Sequence, residues 1–165
     1  MATRRSEQAA VAWREGRAED LPAVSALVSR AFDPRFREGW TERQMADVLL
    51  LPRTWLTVGH VPGDGVVAFA LCRETAREVE LLLCAVDPRW QRRGLGVALI
   101  ARTCAEARAR RAQRIFLEVR DSNGPARALY AACGFRATGR RPSYYRDVTG
   151  GTADAITLTI ELEER

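Results

Sequence analysis

The chain of 165 residues contains no lysine: all 26 basic side chains are arginine, and there is one histidine, His60. Each shortage removes chemistry. Without lysine there is neither a GK[ST] phosphate loop nor a Schiff-base amine. A lone histidine, read here as lying in a turn at a strand end, excludes histidine-based triads and most metal sites, so no metal is expected. The four cysteines, Cys72, Cys84, Cys104 and Cys133, form no CxxC pair and sit in apolar or helical runs. That is the pattern of reduced core thiols in a cytosolic protein. Long hydrophobic runs are missing too. Val66–Cys72 and Leu81–Val86 are the longest, far short of the ~20 residues that span a bilayer. Met1–Arg5 leads into no apolar segment, so no secretory leader is expected and the location is read as cytoplasmic. Catalysis must then rest on carboxylates, tyrosine, cysteine or backbone dipoles.

What is present is a net charge of +5 from arginines scattered along the whole length. Scatter of this kind describes a basic surface, not a binding stripe, and neither direct nucleic-acid nor membrane binding is expected. The length suits a single domain, 1–165.

The most informative stretch is Gln91-Arg92-Arg93-Gly94-Leu95-Gly96, which follows the apolar run Leu81–Val86 and the break Asp87-Pro88. It opens a segment, Val97 to Arg111, whose apolar positions Val97, Ile100, Cys104 and Ala107 have helical spacing. Glycines allow a tight turn and close backbone approach. Helix starts offer unpaired N–H groups and a positive dipole end. Together these make an anion cradle, although a lone GxG is equally a turn with no ligand.

Around it the pattern alternates. Val11–Arg14 reads as a strand, then a helix with Pro22 in its first turn runs to about Phe32, and Thr41 caps a second helix. Thr54–His60, Val66–Arg73 and Glu78–Val86 read as a strand meander, its last six residues lacking alternation as if covered on both faces. Ile115–Val119 completes a βαβ unit and should run parallel to Glu78–Val86. A short helix spans Pro125–Cys133, with Gly134 as its stop. Phe135–Thr138 and Ala155–Leu162 close the sheet, joined by a loop, Arg140–Gly151, carrying Tyr144 and Tyr145. The fold class is α+β: three layers, with a mixed, mostly antiparallel sheet of about seven strands, a central parallel pair and helices on both faces.

Val86-Asp87-Pro88, Gln91–Gly96, Glu118-Val119-Arg120, Ser122-Asn123, Ala128-Leu129-Tyr130 and Gly134-Phe135 occur in this order over about fifty residues. The series resembles the GNAT N-acetyltransferase family, in which a Q/R-x-x-G-x-G/A loop holds the pyrophosphate of acetyl-CoA. Arg141-Pro142-Ser143-Tyr144-Tyr145 and Ala153-Asp154-Ala155-Ile156 are similar to the R-x-x-Y-Y and E-D-A-I stretches of the RimI-type branch, the ribosomal-protein-alanine N-acetyltransferases; Ala153 replaces the acidic residue. The N-terminal half matches loosely, through Trp40-Thr41-Glu42.

The resemblance implies attack of a neutral amine on the acetyl-CoA thioester. It places Glu118 as base, with Glu80 as the competing carboxylate. The reference gap between a glutamate near ~4.3 and an α-amine near ~7.8 makes direct proton abstraction uphill, so either partial burial raises the carboxyl or a water relays the proton. Glu118 is otherwise an arginine-paired strand residue, with Arg120 the nearest candidate. Tyr130 is the acid: a phenol near ~10 against a thiol near ~8.5 is mismatched by about 2 kcal/mol. Alternatively its ring simply packs on the sheet. The backbone of Cys84, Ala85 and Val86 is implied to hold the pantetheine arm. Arg92, Arg93, Gly94, Leu95, Gly96 and Val97 are implied to hold the phosphates, and Asn123, otherwise a helix cap, to bond the arm. An acyl-cysteine at Cys84 is disfavoured because no histidine is at hand to make a thiolate. Trp40, Tyr144 and Tyr145 would line the acceptor groove.

At neutral pH about a tenth of an α-amine is unprotonated, against under a thousandth of a lysine, which favours a protein N-terminus as acceptor. In the branch resembled, this is the N-terminal alanine of a small-subunit ribosomal protein. A basic substrate would need an acidic patch on a basic enzyme, for which Glu38, Glu42, Asp47, Glu78 and Glu80 are candidates. The alternatives are a lysine or small-molecule amine acceptor, and a non-catalytic acetyl-CoA-binding module.

Overall fold

The computed structural model describes residues 10–162; the N-terminal stretch read for a leader lies outside them. The elements in chain order are β1 (Ala12–Gly16), α1 (Leu21–Ala31), α2 (Glu42–Leu49), β2 (Thr54–Val61), β3 (Gly65–Thr75), β4 (Glu78–Val86), α3 (Leu95–Ala109), β5 (Arg114–Arg120), α4 (Gly124–Ala132), β6 (Arg136–Arg146) and β7 (Thr152–Glu161). One sheet has the order β1-β2-β3-β4-β5-β7-β6. Every neighbouring pair is antiparallel except β4 and β5. The three-layer expectation holds, with the parallel pair at the centre. Among the described residues no helix is long and apolar enough to cross a membrane.

Local chemistry sets the helix starts. Pro22 sits in the first turn of α1, where its missing N–H costs nothing. Thr41 and Gln44 cap α2 reciprocally: the Gln44 N–H donates to Thr41 Oγ1 at 3.2 Å and the Thr41 N–H to Gln44 Oε1 at 2.8 Å, satisfying two donors that the helix leaves open.

Two apolar clusters sandwich the sheet. Leu21, Val24, Leu27 and Val28 of α1 and Met45 of α2 pack with Leu56, Val58, Phe69 and Leu71 on one face. Leu99, Ile100, Cys104 and Ala107 of α3, with Tyr130 of α4, pack with Ala68, Ala70, Cys72, Ile115 and Leu117 on the other. The strand buried on both faces without interruption is β3, from Val66 to Cys72.

In β4 the expected cover on both faces holds, Leu81 reaching the α3-side cluster and Leu83 the α1-side one, and a break in register accompanies it. Cys72 pairs with Leu81 and Leu71 with Leu83, leaving Leu82 without a partner, a β-bulge. Val79 and Leu81 face the α3 side; Leu82 and Leu83 both turn to the α1 side; Cys84 and Val86 return to the α3 side. One surplus residue shifts the parity of everything after it.

Three expectations need correcting. Tyr144 and Tyr145 lie in a strand: β6 continues to Arg146, pairing Tyr145 with Ala153 across a register break after Arg141. The Ser143 N–H bonds the Asp154 carboxylate at 2.9 Å, with Ser143 at φ 51°, so the Pro-Ser insertion is absorbed as an irregularity in the strand. The turn itself is short and closes on Asp147, whose carboxyl is held down at about 2, chiefly by the Thr149 hydroxyl, with backbone N–H groups and Arg35 assisting. His60 pairs within β2, beside a bulge, and is not in a turn. Val97 is 52% exposed; the buried stripe of α3 is Leu95, Leu99, Ile100, Thr103, Cys104 and Ala107. The helix starts two residues earlier than its periodicity suggests, and Ile100, Cys104 and Ala107 keep their expected places in the stripe while Val97 does not.

Asp87, at the end of β4, is fully buried. It accepts from the Arg89 side chain at 2.8 and 3.1 Å, from the Arg89 N–H at 2.9 Å, and from Arg30 at 2.8 Å. The Arg89 bonds, first among these, hold its carboxyl far below the usual range despite burial. The contribution of ionised Asp87 is therefore fully present above the unfolded value near ~4 and is lost as pH falls toward the folded value. Asp87→Asn should destabilise the protein at pH 7 by about 2 kcal/mol and flatten the fall of Tm between neutral and strongly acid pH. An unchanged acid limb in a thermal melt series would contradict this account.

Candidate active site

β4 and β5 pair only at Glu78–Arg114, Val79–Ile115 and Glu80–Phe116, although β4 runs on to Val86 and β5 to Arg120. Beyond that point the strands part. The facing backbone groups of the last six residues of β4 and the last four of β5 are released from each other and need other partners. Cys84, Ala85 and Val86 lie along this opening.

At its end stands the glycine loop. Gly94 has φ 80° and caps α3 with no side chain bonding the first-turn amides, so the cradle expected from the sequence is open. Gln91 Nε2 donates to the Val86 carbonyl at 3.2 Å and ties the loop to β4. Arg93 stacks on Trp90, 4.6 Å from the ring centre, while Arg92 is exposed at φ 60°. Gly96 has a different function from Gly94. A Cβ there would lie 3.0 Å from Leu129 Cδ2, so its smallness lets α3 and α4 touch.

From α4, Tyr130 reaches back across the opening. Its ring meets Phe135 edge-on at 5.6 Å, and its hydroxyl lies 3.2 Å from Cys84 Sγ. The residue is 8% exposed. Burial first, then the neighbouring Cys84, pushes its phenol well above the usual value. The ring packs on the sheet, as one reading of Tyr130 has it, while its hydroxyl reaches Cys84. Burial also raises the Cys84 thiol, outweighing the Tyr130 hydrogen bond, which argues against a thiolate nucleophile. Asn123 Oδ1 caps α4, accepting from the Ala126 N–H at 3.3 Å.

Glu118 lies on β5 past the last rung shared with β4. Its partner is Arg141 of β6, at 3.0 Å, not Arg120. Arg120 bonds Glu38 at 2.9 Å and lies 3.5 Å above the Phe36 ring, pinning the segment between α1 and α2 against β5. Tyr145 meets Tyr144 edge-on at 5.2 Å. It is half-buried, and burial, then the charges of Glu38 and Glu118, pushes its phenol up to about 12. Tyr145 is near enough to both Glu118 and Tyr130 to act on each electrostatically. Trp40, by contrast, packs into the α1-side cluster. Glu80 bonds Arg73 at 3.0 Å on the paired side of the opening.

Sequence reasoning missed Arg141 as the partner of Glu118, and Phe36 with Arg120 as the clamp between β5 and the segment joining α1 to α2. Glu118 and Arg120 share a face of the strand, but the Arg120 guanidinium is taken by Glu38 and Phe36. The acidic patch is also weaker than expected: Glu38, Glu78 and Glu80 are each ion-paired with arginine.

A family model described as "Acetyltransferase (GNAT) family" matches residues 22–135. The [Ribosomal protein bS18]-alanine N-acetyltransferase of Escherichia coli K12 is 34% identical over 143 residues, covering 87% of this chain and 92% of that protein. The crystal structure of the ribosomal-protein-S18-alanine N-acetyltransferase from Escherichia coli superposes with a TM-score of 0.83 at 31% identity, covering 94% of this chain and 96% of that one. Ard1 from Thermoplasma volcanium superposes with a TM-score of 0.80 at 28% identity, over 94% and 99% of the two chains. The family model spans more than half of the chain and the Escherichia coli relative covers most of it: the chain belongs to the GNAT acetyltransferase family and is an N-acetyltransferase.

Proposed function

We propose that this enzyme transfers the acetyl group of acetyl-CoA directly to the N-terminal α-amine of a protein, the N-terminal alanine of a small-subunit ribosomal protein being the acceptor the reading favours. The observation that carries it is the parting of β4 and β5 beyond Glu80 and Phe116, with the Tyr130 hydroxyl against Cys84 on one strand and Glu118 on the other. The printed activity of the 34%-identical Escherichia coli relative supports the acceptor. So does the larger neutral fraction of an α-amine. The whole chain, 1–165, acts as one acetyltransferase domain in the cytoplasm, with no metal and no direct contact to nucleic acid or membrane.

The residues present fit the cofactor. The first-turn amides of α3, with Arg92 and Arg93, would take the pyrophosphate between Gly94 and Val97, and Leu95 and Gly96 would offer N–H groups. The unpaired edge of β4 at Cys84, Ala85 and Val86 would bond the pantetheine amides, and Asn123 lies at the facing helix start. When bound, acetyl-CoA supplies an activated thioester carbonyl.

Glu118 takes the amine proton, directly or through one water. Its pairing with Arg141 is no obstacle: Arg141 is 60% exposed and Glu118 21%, and ion pairs so open to solvent contribute about 1 kcal/mol or less. An entering ammonium or water displaces the guanidinium at little cost. Tyr130 donates its proton to the departing sulfur. Tyr144 and Tyr145 flank the acceptor, and Trp40 shapes the groove from beneath.

Mass spectrometry of a peptide panel tests the acceptor: alanine-terminated peptides should be acetylated in preference to N-blocked lysine peptides and polyamines. The reverse order would sink the α-amine reading in favour of a lysine or small amine. Glu118→Gln and Tyr130→Phe should each lower kcat on the order of 100-fold, whereas an acetyl-CoA-binding module without catalysis predicts no change. Gly94→Ala should cost about 1 kcal/mol of stability, because alanine resists the left-handed region while its Cβ meets nothing there. It should raise the Kd for acetyl-CoA severalfold in calorimetry, and unchanged affinity would remove the loop from the cofactor site.

A further inference from the structure

We propose that the Cys84 thiol is a positioning residue for Tyr130, holding the phenol proton before transfer and donating to the phenolate after it. The inference rests on the reading of Tyr130 as acid. It starts from the bulge at Leu82, which turns Cys84 back toward the α3 side and brings Sγ to 3.2 Å from the Tyr130 hydroxyl. No other hydrogen bond to that hydroxyl occurs among the described residues. Without the surplus residue, Cys84 would face α1 and the hydroxyl would have no partner there.

The need for a partner follows from burial. Tyr130 is 8% exposed, its ring enclosed by the α3-side cluster. As the C–N bond forms and the C–S bond breaks, the electron pair of that bond goes to sulfur. Tyr130 releases its proton to that sulfur, forming an S–H bond and leaving a phenolate. An unsolvated oxyanion in such a setting is costly unless a donor is already in reach. A thiol suits both stages, since its sulfur accepts weakly and its S–H donates. It competes poorly with the departing sulfur for the phenol proton, so it does not retain it. Its reference pKa near ~8.5, below the phenol's ~10, matches it to stabilise the phenolate that follows. The phenolate regains its proton from solvent as product leaves, balancing the proton Glu118 passed to water. Burial keeps both groups neutral at the outset. The other titratable groups facing the pair are Cys133 and Tyr145 on the Tyr130 side and Cys72 on the Cys84 side.

Cys84→Ala, Cys84→Ser, Tyr130→Phe and the Cys84→Ala/Tyr130→Phe double variant decide the matter. Cys84→Ala should lower kcat roughly 5- to 10-fold, the size of one lost hydrogen bond, with KM for acetyl-CoA unchanged within about twofold. Cys84→Ser, which keeps a donor and acceptor, should recover most of that loss. On the Tyr130→Phe background, Cys84→Ala should add nothing. A readout independent of turnover is the ring-carbon NMR signal of Tyr130 in tyrosine-labelled free enzyme, which should move in Cys84→Ala while those of Tyr144 and Tyr145 stay. A large loss in Tyr130→Phe with none in Cys84→Ala, or a Tyr130 signal that does not move, would overturn the positioning role and leave the acid reading standing. An additive loss in the double variant would reduce Cys84 to packing. Full activity in Tyr130→Phe would remove the acid reading, and the positioning role with it.

Discussion

Two departures from regular pairing in β4 govern the rest of the molecule. The bulge at Leu82 changes which face each later side chain occupies, and the separation from β5 after Glu80 frees the backbone edge that carries them. Either alone would be of little use. A parted pair without the bulge would send Cys84 and Val86 into the α1 cluster, and a bulge inside a fully paired strand would leave no opening for a ligand. The fold supports both because β3, buried on each face from Val66 to Cys72, is a rigid partner on the other side of β4. Bulges beside active sites commonly re-aim side chains in this way, and here the re-aimed residue meets the phenol of Tyr130.

The order of elements, the parallel pair and the glycine loop were legible in the sequence because each rests on local chemistry. Pro22, Thr41, Gly94 and Gly134 mark ends, and the apolar periods between them mark faces. The acceptor side was less legible because it is assembled from distant segments. Glu118 finds Arg141 across β7, and Arg120 finds Glu38 some eighty residues earlier. No local pattern announces such pairs. The run Arg140-Arg141-Pro142-Ser143 reads as loop since it lacks alternation and contains proline. Yet the ladder to β7 tolerates it, with Ser143 taking a positive φ and Asp154 accepting its N–H. Tertiary pairing overrode local propensity there. In β4 the missing alternation marked cover on both faces, as read, and it also hid a change of parity.

The exclusive use of arginine shapes the site's electrostatics. Guanidinium groups are planar, permanently charged and able to stack as they bond. Arg120 does both, lying over Phe36 while bonded to Glu38, and Arg93 lies over Trp90 beside the glycine loop. Arg141 bonds Glu118 and sits 5.5 Å from the Tyr144 ring. Arginines thus brace the loops around the opening as well as charging the surface, and they do so without a side chain the enzyme itself could acetylate.

The contact between Gly96 and Leu129 has a mechanical meaning. It fastens the start of α3 to α4 one residue before Tyr130, so the anion cradle and the phenol hydroxyl belong to one stiff body. The distance between them acts as a gauge. On the proposed reading, a thioester arm seated by its phosphates at the loop would reach the hydroxyl over a span that this contact sets. The reach asked of the acyl carrier would then depend in part on a helix–helix contact that touches neither the acyl group nor the amine.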